Sequence, residues 1–181
     1  MILSGEAIAD LVDWGDIVIE PFSQKLLNPN SYNLRLANEL VVYDLESCGH
    51  LDCRKDDPTK QIIIPDDGYI LRPGILYLAR TFEYTETHKH VPMLEGRSSI
   101  ARKGLKIHVT AGFGDVGYCG NWTLEMETTH PLKIYPMMEV AQIYYCEIKG
   151  DFKGYDGKYQ GSKGVVPSML YRDFDRPQDV E

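Results

Sequence analysis

Turn-forming residues interrupt this chain so often that a long helix has little room between them. The runs 17–20, 32–36, 39–43, 61–64, 75–80, 106–110, 121–126 and 140–148 are short and rich in β-branched, aromatic or alternating residues, with Gly, Pro, Asn and Asp between them. Many short strands with frequent turns predict an all-β sandwich or barrel. One helix is expected at the start, capped by Ser4 and running to about Trp14, with Ile8, Leu11 and Val12 on one face and Gly15 as its stop. Residues 44–60 and the acidic turn 65–68 read as surface excursions. No linker or internal repeat divides the 181 residues, so one β domain over 1–171 is expected, followed by a charged, flexible tail at 172–181.

Charge narrows the class of partner. Nineteen Lys and Arg against 27 Asp and Glu give a net charge of -8, which disfavours nucleic acid and anionic membrane surfaces. No window of about 18 apolar residues is present and the first residues lack the build of a signal peptide, so a soluble intracellular protein is expected. Cys48, Cys53, Cys119 and Cys146 are scattered and read as reduced thiols. Cys48, His50 and Cys53 have no second ligand pair at zinc spacing, so no metal site is expected there.

Three segments concentrate chemistry. Residues 96–114 contain Arg97, Arg102, Lys103 and Lys106 and no acid. Within them Gly96, Ser98 and Ser99 allow close backbone approach and hydroxyl donation beside two guanidiniums, a combination that suits a phosphate chain. The alternative is a helix N-terminus with solvated basic residues. Residues 111–120 form a glycine-rich, hairpin-like loop in which Asp115 offers a carboxylate to a sugar hydroxyl and Tyr118 a ring to a sugar face, unless the loop is only a tight turn. The strand after it alternates, with Thr123, Glu125 and Glu127 on one face and Trp122, Leu124 and Met126 on the other. If the first face looks into a site, Glu125 gains a raised pKa and a role as general base and acid; if it faces solvent, these are ordinary surface residues. Residues 154–164, again glycine-rich and basic, read either as a flap over an anion, using Lys158, Tyr155 and Gln160, or as a plain flexible tail.

The strings Gly96-Arg97-Ser98-Ser99-Ile100-Ala101-Arg102, Thr110-Ala111-Gly112-Phe113-Gly114-Asp115 and Thr123-Leu124-Glu125 follow one another in this order and spacing. With Pro29 to Leu36, Ala141-Gln142-Ile143 and Gly157-Lys158-Tyr159-Gln160, they resemble the dCTP deaminases of the trimeric dUTPase-like superfamily over most of the chain. The resemblance implies a distorted, jelly-roll-like β-barrel (the dUTPase-like β-clip) with a short N-terminal helix. It also implies a homotrimer with nucleotide sites at subunit boundaries, which would supply walls that 181 residues are few to build alone. The location it implies is the cytoplasm, or the host cytoplasm for a viral protein. The reaction implied is zinc-independent hydrolysis of dCTP to dUTP and ammonia, in agreement with the missing His-x-Glu and Pro-Cys-x-x-Cys signature of zinc deaminases. One alternative is a bifunctional enzyme that continues to dUMP and diphosphate; a second is a nucleotide-binding regulator without turnover.

By the same resemblance, Glu125 is the general base, Arg102 polarises near its water, and the backbone of Thr110 and Ala111 holds that water. Arg97, Ser98 and Ser99 bind phosphate, with Ile100 and Ala101 also in the nucleotide site, Asp115 and Tyr118 take the deoxyribose, and Thr123 and Leu124 the pyrimidine. Gln142, Tyr155, Lys158 and either Gln160 or Ser162 complete the contacts, with Mg2+ arriving on the triphosphate and dTTP as an inhibitor of the same site. Asn33 stands where relatives often carry Asp, and Ser162 where they carry Gln. Phe113 resembles deaminases that proceed to dUMP, Ala101 resembles those that stop at dUTP, and Gly114 fits neither.

Overall fold

The structure is a computed structural model and describes residues 1–175. Helix α1 (Gly5–Asp13) starts at Ser4, whose hydroxyl accepts from the Ala7 amide at 3.2 Å, and it buries Ile8. It ends at Trp14, beyond which Gly15 takes a φ of +78°.

Thirteen strands follow among the described residues. They are β1 (Ile17–Glu20), β2 (Leu27–Asn28), β3 (Ser31–Tyr43), β4 (Thr59–Ile63), β5 (Tyr69–Leu71), β6 (Tyr77–Thr81) and β7 (Tyr84–Thr87). After them come β8 (His90–Gly96), β9 (Leu105–Lys106), β10 (Cys119–Gly120), β11 (Thr123–Thr128), β12 (Leu132–Ile134) and β13 (Glu139–Glu147). The main sheet runs β8-β13-β3-β6-β11-β9, with β2 and β4 also on β3; β1-β7-β10 and β12-β5 form two smaller sheets. All pairings are antiparallel, and the main sheet curls into a distorted, nearly closed barrel. Its interior holds Tyr32, Leu34, Leu36, Leu40, Leu94, Leu124, Met126, Ile143 and Tyr145, all at most 2% exposed.

The strand boundaries follow from side-chain chemistry. Two expected runs, 32–36 and 39–43, are one strand: β3 continues through a bulge between Leu36 and Leu40 and bends without breaking. β7 hides from an apolar pattern because its inward residues are Thr85 and Thr87, each 2% exposed. Thr85 accepts the Trp122 indole at 2.9 Å, and Thr87 donates to the His90 carbonyl at 2.5 Å. β8 carries Pro92, which is tolerated because β8 lies at the end of the strand order. The expected strand 106–110 shortens to β9, since beyond Lys106 the chain bends away and Val109 and Thr110 are exposed. The excursion 44–60 contains a single short helix, α2 (Leu45–Cys48). Most of the expected tail at 172–181 lies outside the described residues; within them, Arg172 and Asp173 close a 3-10 turn (Leu170–Asp173).

One buried charge ties the barrel to the loop that supports the site. Glu83 is wholly buried and accepts from both the Arg35 amide (2.7 Å) and the Arg35 guanidinium (2.5 Å). The turn it belongs to is held on the other side by Asn121, whose amide donates to the Thr81 and Glu83 carbonyls at 3.3 and 3.0 Å. Removing one partner of such a pair leaves a buried charge or amide unmatched. Glu83→Ala is therefore expected to lower unfolding free energy by about 3 kcal/mol, the low end for buried pairs because Arg35 is partly exposed. Urea denaturation checks this, and a loss below about 1 kcal/mol would remove the pair from the account.

Candidate active site

A cavity of ≈ 470 Å³ opens against the outer face of β6 and β11. Such a volume lies in the range of small-molecule pockets. Strand alternation builds its floor. Leu124, Met126 and Thr128 are buried, so Thr123, Glu125 and Glu127 must turn the other way. Cross-strand pairing sets Glu125 opposite Leu78 and Thr123 opposite Arg80, which makes Leu78, Leu76 and Glu125 neighbours on one surface. Glu127, at the far end, meets Lys106 at 3.6 Å.

Two loops close over this floor. The glycine-rich segment docks on the free edge of β8: Leu94 donates to the Gly112 carbonyl at 2.8 Å and Gly114 to the Pro92 carbonyl at 3.0 Å. Gly114 has no room for a side chain, because a Cβ would lie 2.4 Å from the Trp122 ring and 2.8 Å from the Pro92 carbonyl. From here Ala111, Phe113, Asp115 and Tyr118 line the cavity. Tyr118 packs at a tilt against Trp122, with ring centroids 4.7 Å apart, donates to the Asn121 carbonyl at 2.8 Å, and burial pushes its phenol up to about 12. The roof is the C-terminal segment, through Tyr155, Tyr159, Ser162, Val166 and Ser168. Val166 donates its amide to the Thr123 hydroxyl at 3.2 Å and Ser168 to the Tyr43 phenol at 3.1 Å, so the roof is fastened to the floor strands.

Burial raises the Glu125 carboxyl above the ordinary carboxylate range, opposed in part by the nearby His108. The His108 imidazole is largely buried, with Nε2 3.6 Å from Glu95 and Nδ1 without a protein partner. A half-buried carboxylate on a floor that it shares with Leu76, Leu78 and Thr123 can take a proton from water and return it, which is general acid–base chemistry.

The structure distributes the sequence-derived candidates over two places. Glu125, Ala111, Asp115, Tyr118, Thr123, Tyr155 and Ser162 line the cavity. Leu124 turns its side chain into the core, as alternation demands, and does not line the cavity. Arg97, Ser98, Ser99, Ile100, Ala101 and Arg102 form a separate rim, where only Arg97 stands between the end of β8 and the start of α3 (Ser98–Ala101). Ser98, Ser99, Ala101, Arg102 and Thr110 are exposed there, whereas Ile100 packs on the core. Arg97 meets Glu139 at 2.9 Å and Gln142 donates to the Gly96 carbonyl at 3.4 Å, so both belong to this rim. Asn33 fits the same cluster: it donates to Glu139 at 2.8 Å, where an aspartate would set two carboxylates together. Lys158 pairs with Asp173. Gln160 bonds backbone groups away from the lining, and Ser162 is the residue that faces the cavity. Among the described residues no group of three or more His, Cys, Asp and Glu side chains converges as a metal cage. No described helix is long and apolar enough to cross a membrane.

Sequence reading overlooked Tyr43, Leu76, Leu78, Tyr159, Val166 and Ser168 in the lining. The alternation of Leu76, Leu78 and Arg80 was the available signal for the floor, whereas the roof residues follow no period.

A family model described as dCTP deaminase-like matches residues 2–148. The chain belongs to the dCTP deaminase-like family of enzymes. Among its relatives, a protein of Clostridium acetobutylicum named "dCTP deaminase, dUMP-forming" is 59% identical over 175 residues, covering 96% of this chain and 99% of that one. A protein of the same name from Cytophaga hutchinsonii is 56% identical over 177 residues, covering 97% and 100%. The fold is that of the crystal structure of 2'-deoxycytidine 5'-triphosphate deaminase from Agrobacterium tumefaciens, with a TM-score of 0.63 at 18% identity. That match covers 80% of this chain, which spans about half (47%) of that protein's length.

The raised carboxyl has a consequence for stability. The native state binds the Glu125 proton more tightly than the unfolded chain, so stability falls as pH rises from near the ordinary value of 4.5 through the folded pKa. Glu125→Gln carries no charge to desolvate and is expected to be more stable than wild type at about pH 7, the difference vanishing below about pH 4. Chemical denaturation at the two pH values checks this; a variant less stable than wild type at the higher pH would contradict it.

Proposed function

We propose that this family member deaminates dCTP and hydrolyses the triphosphate, yielding dUMP, diphosphate and ammonia. The observation that carries this reading is the half-buried Glu125 carboxyl on the wall of a pocket, in a chain 59% identical to a relative named for that reaction. Of the two positions that pointed apart on the final product, Phe113 lines the pocket and Ala101 stands on the outer rim. Together with the names of the relatives, this favours dUMP over the dUTP end-product placed first from sequence.

In the first step Glu125 removes a proton from water as the oxygen bonds to C4 of the cytosine. It passes protons to N3 and to the amino nitrogen, the C4–N bond breaks, and ammonia leaves a uracil ring. Thr110 and Ala111 backbone groups hold the water, and Arg102, which stands on the rim, polarises it from a neighbouring subunit. Asp115 and Tyr118 take the deoxyribose, the ring excluding water from one face of the sugar. A second water then cleaves the α–β phosphoanhydride, and diphosphate departs with Mg2+, which enters as part of the substrate.

Arg97, Ser98, Ser99 and Gln142 carry the phosphate chemistry, yet they sit on the rim and not on the cavity wall of the same chain. A homotrimer accounts for this, because a neighbour's rim can complete each pocket.

Incubation of the purified protein with dCTP and Mg2+, followed by nucleotide chromatography and ammonia assay, tests the reading. Equal amounts of dUMP and ammonia are expected, and Glu125→Gln should lower ammonia release by about 10²–10⁴-fold. Accumulation of dUTP would return the product to the deamination-only form. Unconsumed dCTP, bound in calorimetry, would make the chain a regulator.

A further inference from the structure

The side chain of Gln160 fastens the C-terminal roof to the turn that carries Asp115 and Tyr118. Its Oε1 accepts from the Cys119 amide at 2.9 Å, and its Nε2 donates to the Gly117 carbonyl at 2.8 Å and the Tyr155 carbonyl at 3.1 Å. An amide side chain has two donor hydrogens and one acceptor oxygen, so each is matched to a backbone group. The bonded groups flank Tyr118 on one strand of chain and include Tyr155 on the other. Around them the two segments pair through backbone alone: Tyr155 donates to Val116 at 2.8 Å, Gly161 to Cys119 at 2.8 Å and Asn121 to Ser162 at 2.9 Å. Gln160 thus adds a side-chain tie beside the single parallel bridge, Gly120 to Ser162, that joins roof and turn. Gly117 lets the segments come this close: its φ is +88°, and a Cβ there would lie 2.8 Å from the Tyr155 nitrogen.

The cavity wall depends on this junction. Asp115 and Tyr118 belong to the turn, Tyr155 and Ser162 to the roof, and all four line the cavity while Gln160 itself does not. We propose that Gln160 is a positioning residue: it locks the roof onto the 115–120 turn, so that the groups facing the sugar are set in place only when the roof is closed. This rests on the reading of the cavity as a nucleotide site. Losing the three bonds favours the open roof, and each nucleotide bound must then close it, which raises KM without touching the chemical step.

Two variants and two readouts test it. Gln160→Ala is expected to raise KM for dCTP about tenfold, in line with three neutral hydrogen bonds at an exposed site, with kcat within about threefold of wild type. Gln160→Glu keeps the acceptor for Cys119 but turns a carboxylate oxygen toward the Gly117 and Tyr155 carbonyls. Its KM, taken as a ratio to wild type at each pH, should fall as the carboxylate is protonated, whereas the ratio for the alanine variant stays level. The substrate-free readout is cleavage of the native protein by a lysine-specific protease at the exposed Lys163, which should be several-fold faster in Gln160→Ala. Unchanged KM with unchanged cleavage would overturn the proposal. So would a fall confined to kcat and thermal midpoint, which is what a merely structural glutamine predicts. If wild type leaves dCTP intact, the function proposed above fails, and the cleavage comparison alone decides whether Gln160 holds the roof.

Discussion

A strand cannot place neighbouring side chains on the same side, and on β11 this constraint fixes the site. Leu124 and Met126 are wholly buried in the barrel, with Thr128 beside them at 6% exposed. Their commitment leaves Thr123, Glu125 and Glu127 no choice of face. Shifting the register with β6 by one residue would turn Glu125 into the core and Leu124 outward, at a cost of several kcal/mol for the buried leucine alone. The face on which the carboxylate stands is therefore set by the hydrophobic packing of its neighbours. On that face its proton affinity responds to burial more than to any single charge.

An outward-facing carboxylate is ordinarily solvated, and what desolvates this one is loop structure. The glycine-rich turn reaches it from β8, and the roof reaches it from the C-terminal segment, pinned at Thr123 and Tyr43. Behind the turn, the Arg35–Glu83 pair and Asn121 hold the backbone from which Trp122 and Tyr118 project. The rigid barrel sets the floor and the weaker loop contacts set the walls, a division that suits a site which must open for its ligand.

The parts of this arrangement that were legible in the sequence are those with a period or a cap. Ser4 and Gly15 delimit the helix, the alternation at 123–127 put Glu125 opposite Leu124, and short punctuated runs gave an all-β fold. The alternation left open whether Glu125 met a pocket or solvent, because the roof that decides it comes from residues some 30 to 40 positions later in the sequence. β7 was invisible because threonines, not leucines, fill its inner face, and β8 because Pro92 interrupts it. The choice between Gln160 and Ser162 could not be made from composition. It depends on which way an irregular segment turns, and that is fixed by backbone pairing with residues 116–121. The acid-free stretch 96–114 reads as one basic patch, but Lys106 answers Glu127 and Arg97 answers Glu139, so its charges are spent in part on neighbouring strands.

The central claim is that burial on the outer face of β11 makes Glu125 a carboxyl that holds its proton more tightly than an ordinary carboxylic acid. Titration of the Glu125 carboxyl carbon by NMR, in protein with that signal assigned through the Glu125→Gln variant, measures this directly. The account predicts a pKa clearly above the ordinary 4.5. A value at or below 4.5 would mean that water reaches the carboxylate freely, and it would contradict the assignment of Glu125 as the base.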